Sequence, residues 1–201
     1  MIRIIRDIMS RIAKNIRIVK YRLKILHNNP TIILGSHCIF QNPGYMHFGK
    51  QIVLGDNTKL LCTDSYNGEI NNSQPYLCIG ESFHCTRNLT IQCAGKIDIG
   101  KNVLIASDVF IIDYDHGLSP LTRSYLDNPL KISKGIKISD GVWIGNNVVI
   151  LGGVTIGNKA IIGAGSVVTH DVPEYTIAVG NPAKPIKHYD KNIEEWVSDI
   201  I

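Results

Sequence analysis

One periodicity constrains this chain more than any other feature. Ile132, Ile138, Ile144, Ile150, Ile156, Ile162 and Val168 recur every six residues without a slip. Four places after each stands a small or aliphatic residue: Ile136, Val142, Val148, Val154, Ala160, Ser166 and Val172. A helix repeats near 3.6 residues and a strand at 2, so neither alone keeps a period of six over seven units. Fixed-period self-similarity is the mark of a solenoid, and hexapeptide repeats specify a parallel β-helix of short strands joined by tight corners. The anchors should point into one continuous core, with the residue four places on filling it near the corner. Gly145, Gly157 and Gly163 follow anchors directly, where glycine is expected to permit the backbone conformation a corner needs.

The rhythm starts loosely at Thr31, through Leu34, Phe40, Phe48, Leu54 and Leu60, and restarts at Ile79, Cys85, Ile91 and Ile97. It then shifts by two residues and continues at Ile99, Ile105 and Ile111. Two stretches break it. Thr63–Tyr76 is rich in Asn, Ser and Gly and reads as a loop pushed out of one coil. Asp113–Lys131 carries Pro120 and Pro129 and no hexad pattern. Insertions in repeat proteins fall on one face, often the binding face.

Both ends differ from the middle. From Met1 to about Leu26, the residues Ile5, Ile8, Met9, Ile12, Ile16, Val19, Leu23 and Leu26 make one helical apolar stripe. Arg3, Arg6, Arg11, Lys14, Arg17, Lys20, Arg22 and Lys24 accompany it, against Asp7 as the only acid. Such a helix either packs its stripe on the solenoid or on a neighbouring subunit, or lies on the inner face of an anionic membrane. No base-reading motif accompanies the charge, which argues against nucleic acid. The tail from Asn192 to Ile201 reads as a short helix, with Ile193, Trp196, Val197 and Ile200 on one side, capping the open end of the solenoid. The expected division is residues 1–30 as a basic amphipathic helix, 31–182 as an all-β solenoid domain, and 183–201 as a C-terminal cap.

Composition excludes several classes. Five cysteines, an odd number without CxxC spacing, read as reduced and mostly buried, which suggests a cytoplasmic protein. Charges interrupt the N-terminal apolar residues too often for a secretory signal or a membrane span. Aromatic residues at 7% fit a narrow interior of Ile, Val and Leu. No set of His, Cys and acidic residues suggests a metal.

GVWIGNNVVILGGVTIGNKAIIGAGSVVTHDVP, followed by AVGNPAKPIK, resembles the hexapeptide-repeat acyltransferases. It is most similar to the sugar O-acetyltransferase branch, which includes galactoside and maltose acetyltransferases and those of capsule and O-antigen polysaccharides. The resemblance is contiguous from about Ile132 to Lys187 and weaker from Thr31 to Ile111. It implies a left-handed parallel β-helix of about three hexads per coil, a homotrimer, acetyl-CoA as cosubstrate and an active site between neighbouring subunits.

It also implies roles for particular residues. The family's catalytic histidine falls on His116, where relatives of the polysaccharide branch often read D-H-N-H-G and this chain reads D-Y-D-H-G. A hydroxyl is a weak nucleophile at neutral pH, and an imidazole is suited to take its proton. Asp113 and Asp115 both qualify by proximity to orient the ring, and the sequence does not choose between them. Trp143 should point outward beside its anchor, as an active-site indole or as a subunit-packing residue. For CoA the resemblance points to Asn146, Ala164 and Thr169, and to Lys184 and Lys187 as flexible charges for the phosphates. His170 reads as surface or CoA-adjacent. The acceptor is expected to be a sugar within a surface polysaccharide or its precursor. An amino sugar, an antibiotic or a free oligosaccharide is the alternative, and a non-catalytic β-helix a third reading that His116 speaks against.

Overall fold

The computed structural model describes residues 2–71 and 74–198. One α-helix, Ile2–Asn28, precedes a run of short strands. The strands form three large sheets of nine, six and five strands, here sheets 1, 2 and 3. The chain visits them in turn, and each strand pairs in parallel with its counterpart one circuit away. Ile33 lies beside Val53 and His84 beside Leu104 in sheet 1, while Ile91 lies beside Leu60 and Ile111 in sheet 2. Trp143 pairs with Ile161 and Val149 with Val167, each three hexads further on. The parallel ladder of sheet 1 runs from Ile33 to its last parallel member, Thr176–Gly180.

The periodic side chains fill the space inside. Ile138, Ile144, Ile150, Ile156, Ile162 and Val168 are buried, as are all seven residues four places after the anchors. The exception is Ile132. It is only half-buried, because it belongs to an antiparallel pair with Tyr114 outside the coils. The two-residue shift at Ile97 and Ile99 is also explained. Both sit in one strand of sheet 3, Lys96–Ile99, and a period of two turns both inward. Ser166 and Thr58 are the polar members of the buried column, and their hydroxyls donate to Gly163 O at 2.7 Å and Gly55 O at 2.8 Å.

The corner glycines have a different cause from the expected one. Gly145, Gly157 and Gly163 are not in the left-handed region; that conformation falls two residues later, on Asn147 and Lys159 at φ 57° and on Gly165 at φ 72°. Glycine is required because stacked corners touch. A Cβ on Gly145 would lie 2.7 Å from the backbone N of Ala164 one coil on. On Gly80 it would meet the carbonyl carbon and oxygen of Gly100 at 2.5 Å.

Both insertions leave at the same edge, between sheets 2 and 3. The first contains a small hairpin, Ser65–Tyr66 with Glu69–Ile70. The second begins and ends as an antiparallel arm, Tyr114–His116 with Leu130–Ile132. Asp113, at the arm's root, is fully buried and accepts hydrogen bonds from Ala94 N at 2.8 Å and Gly95 N at 2.9 Å on the preceding coil.

The C-terminal end departs from expectation. The tail is not helical: Ala183–Asp190 turns back antiparallel on Thr176–Gly180, and Glu195–Ser198 turns back again. The open edge of sheet 1 offers unpaired backbone groups, and strands satisfy them where a helix would not. Trp196 then packs edge-on against Tyr189, with ring centroids 5.4 Å apart. Ile200 lies outside the described residues, as do the side chains of Ile5 and Ile8. At the other end the apolar stripe does not pack on the coils. Met9, Ile12, Ile16, Val19 and Leu23 are exposed, and buried Ile25 with half-buried Tyr21 makes the contact instead. The helix adjoins Ile39–Gln41 and Pro43–Tyr45 of the first circuit.

Gly80→Ala should destabilise by about 1–3 kcal/mol, the cost of forcing atoms into a packed site. Gly44→Ala, with nothing within 4 Å of an added Cβ, should stay within about 0.5 kcal/mol of the parent. Urea unfolding of the two variants checks both. Asp113→Ala strands two buried N–H groups and should cost about 2–5 kcal/mol by the same measurement.

Candidate active site

His116 is exposed on the arm, paired in register with Leu130. Tyr114, two residues earlier, fixes the arm to the body: its hydroxyl donates to Gln92 Oε1 at 3.0 Å. Burial pushes the Tyr114 phenol above its ordinary value. This is the work done by the tyrosine of the D-Y-D-H-G motif.

The side chain against His116 comes from the other insertion. The Tyr66 ring, on the hairpin, lies 5.3 Å from the His116 ring, centroid to centroid and tilted by 60°. The Tyr66 hydroxyl donates to Leu126 O at 2.8 Å, and Asn67 Nδ2 donates to the same carbonyl at 2.7 Å. The hairpin therefore clasps the second insertion and sets an aromatic ring beside the histidine. Neither Tyr66 nor Gln92 was apparent from the sequence. Their link to His116 is made by stacking coils, and no local spacing encodes it.

Two cavities flank this contact. One of about 240 Å³ is lined by Tyr114, Asp115, His116, Gln92, Thr63 and Tyr66. The other, about 540 Å³, shares Tyr66 and Leu130 with it and adds Asn67, Glu69, Asn71 and Asp127. The result is a groove with one aromatic wall and several amide and carboxylate groups, beside an accessible imidazole.

Of the two aspartates, only Asp115 lines the cavity with His116. Asp113 is a correction to the sequence reading. Both its oxygens are taken by the N–H groups of Ala94 and Gly95, and it is shut away from solvent. Burial pushes its carboxyl above the usual range, while those two donors pull the other way. It braces the arm and does not face the imidazole.

The remaining residues fall elsewhere on the coils. Trp143 is 49% exposed on sheet 1. Asn146 and Ala164 stack on the edge between sheets 1 and 2, joined by Gly165 N donating to Asn146 O at 2.8 Å. The Asn146 side-chain oxygen accepts from Ser107 N at 2.9 Å. Lys184 and Lys187 lie on the strand that folds back along sheet 1. Thr169 does not join this group. It follows Val168 at the edge between sheets 2 and 3, two coils beyond the arm, and its hydroxyl bonds His170 Nδ1 at 2.7 Å. Among the described residues no group of three or more His, Cys, Asp and Glu side chains is placed to hold a metal.

Comparison with known proteins agrees with this architecture. Residues 135–170 match the family described as bacterial transferase hexapeptide (six repeats). A putative lipopolysaccharide biosynthesis O-acetyl transferase of Escherichia coli K12 is 29% identical over 203 residues, covering 97% of this chain and 91% of its own. The crystal structure of a maltose O-acetyltransferase from Clostridium difficile 630 is similar at 32% identity and a TM-score of 0.58, over 85% of this chain and 75% of that one. A hexapeptide-repeat acetyltransferase from Vibrio cholerae O1 biovar eltor, solved with acetyl coenzyme A, matches at 26% identity and a TM-score of 0.53, over 80% and 72%. With a repeat that stacks in parallel, a histidine raised on an arm at one edge, and these likenesses, the chain belongs to the hexapeptide-repeat acyltransferase family, in its sugar O-acetyltransferase branch.

Proposed function

We propose that this protein transfers the acetyl group of acetyl-CoA to a sugar hydroxyl, with His116 as general base, in a homotrimer of left-handed parallel β-helices. The observation that carries the reading is the accessible His116 ring in one cavity, beside Tyr66 from a different coil, which also lines the larger cavity next to it. The acceptor belongs in the 540 Å³ groove. Tyr66 offers a face for a sugar ring, and Asn67 and Asn71 offer partners for hydroxyls. A polysaccharide or its precursor is the favoured acceptor, given the likeness to a lipopolysaccharide O-acetyl transferase.

The chemistry follows from the imidazole. His116 takes the proton of the acceptor hydroxyl as its oxygen attacks the thioester carbonyl carbon. The C–O bond forms, the C–S bond breaks as the tetrahedral intermediate collapses, and the imidazolium returns its proton to the departing thiolate. Asp115, next to it on the arm and lining the same cavity, is our candidate for the group that orients the ring. The intermediate's oxyanion needs a donor. The Trp143 indole N–H of a neighbouring copy is our candidate.

This reading calls for a second copy, because one chain does not gather the residues it assigns. His116 stands at the edge between sheets 2 and 3, whereas Trp143, Asn146, Ala164, Lys184 and Lys187 lie on sheet 1 or its edge with sheet 2. Packing sheet 1 of one copy beside the arm of the next unites the two groups and covers the exposed Trp143. A second reading has one observation in its favour. Glu69 and Asp127 line the acceptor groove, and two carboxylates suit an amino sugar, which would be acetylated on nitrogen.

His116→Ala should lower kcat by about 10²–10⁴ with the fold intact, measured as CoA release over a panel of neutral and amino sugars. Turnover near that of the parent would remove the histidine from the mechanism, and the preferred sugars decide between oxygen and nitrogen. Lys184→Ala with Lys187→Ala should raise KM for acetyl-CoA while leaving kcat nearly unchanged, as expected for uniform binding contacts. An unaltered KM would place the CoA phosphates elsewhere.

A further inference from the structure

The N-terminal helix has two apolar faces, and the fold uses only one. Ile25 is 3% exposed and Tyr21 half-buried against the first circuit, and Arg22 donates to Gly35 O at 3.1 Å, so the last turns are docked. On the opposite side Met9, Ile12, Ile16, Val19 and Leu23 are exposed by 47–63%. The geometry demands this opposition. Leu23 and Ile25 are two residues apart, about 200° round a helix, so docking one directs the other outward. The spacing of the outward set, three and four alternately, makes one straight stripe along the helix. Five large aliphatic side chains in a continuous outward row need a partner.

Charge decides which partner. Arg17, Lys20 and Lys24 are exposed beside the stripe, and Asp7 is the only acid in the helix. A second copy of the helix is a poor occupant. With Met9, Ile16 and Leu23 at one seam position and Ile12 and Val19 at the other, the flanking places between them hold Ala13, Asn15, Lys20 and Arg22. None is acidic, so a paired seam would gather like charge without a salt bridge. An anionic bilayer answers both features: its acyl region takes the aliphatic row, and its headgroups take the cations while their stems lie along the surface. Among the described residues no helix is long and apolar enough to cross a membrane, so the contact is with the surface.

We infer that the face of helix Ile2–Asn28 carrying Met9, Ile12, Ile16, Val19 and Leu23 seats the protein on an anionic lipid bilayer. The coils ride on the opposite face of the helix, and the lipid contact touches no residue assigned to acetyl transfer. This inference stands independently of the reaction proposed above.

The test is co-sedimentation of the full chain with vesicles of phosphatidylcholine alone and of phosphatidylcholine mixed equally with phosphatidylglycerol. The parent should pellet with the mixed vesicles and not with the neutral ones. Ile16→Asp with Val19→Asp should abolish binding. Arg17→Glu with Lys20→Glu and Lys24→Glu should weaken it about 10-fold or more, and added salt should do likewise. All these sites are exposed, so circular dichroism and CoA release in solution should match the parent. The inference is overturned if the parent ignores mixed vesicles, or if both variants bind as the parent does. It is equally overturned if Ile16→Asp with Val19→Asp lowers the oligomeric mass in light scattering while vesicle binding stays put, since the stripe would then belong to a second copy.

Discussion

Each interior strand in the body of this protein finds its hydrogen-bond partners on the coil before and the coil after. That dependence sets the rest. Coils must stack at the strand spacing, so their corners are pressed into contact, and a side chain on the wrong corner residue has nowhere to go. Gly145 and Gly80 answer this crowding, while Asn147 and Lys159 adopt the left-handed backbone that turns the chain. Asparagine tolerates that conformation better than most residues. Where a polar side chain is turned inward at a corner, as at Thr58 and Ser166, its hydroxyl is bonded at once to a carbonyl of its own turn. Among the described residues no buried side-chain nitrogen or oxygen is left without a partner.

Stacking also explains how two excursions far apart in sequence come to face each other. Both leave between sheets 2 and 3, so they emerge from one edge at different heights. The hairpin of the first reaches the second through Tyr66 and Asn67 on the carbonyl of Leu126. Asp113 ties the root of the arm to Ala94 and Gly95, and Tyr114 ties its shaft to Gln92. His116 is thus carried by a loop, yet the loop is fastened at three places to regular structure. This fastening holds the imidazole in place, as the role proposed for it would require.

The two ends deal with the open coil differently. At the C-terminus the chain continues sheet 1 with two antiparallel strands, moving the exposed edge out to a short strand, Glu195–Ser198. At the N-terminus a helix lies against the first circuit by one narrow face and leaves a second apolar face to the outside. A solenoid exposes its ends by construction, so its caps are where new surfaces can be added without disturbing the coils.

The sequence by itself determined the coils. A six-residue spacing of Ile and Val can satisfy only short strands wound round a common interior, and the D-Y-D-H-G motif singled out His116 as the candidate base. The same row of residues misled at Ile132, where antiparallel pairing in the arm overrode the period. It misled on the tail as well, which read as a helix, because a 3–4 spacing over so few residues is a weak signal and the free edge of sheet 1 drew the chain into strands. Only the tertiary structure separated Asp113 from Asp115, since two carboxylates two residues apart look alike until one is seen bonded to a neighbouring coil. Only it brought Tyr66 to His116 and turned one face of the helix outward. Periodicity is a local property that a linear chain can carry, whereas the contact of two insertions on different coils exists only once the coils have stacked.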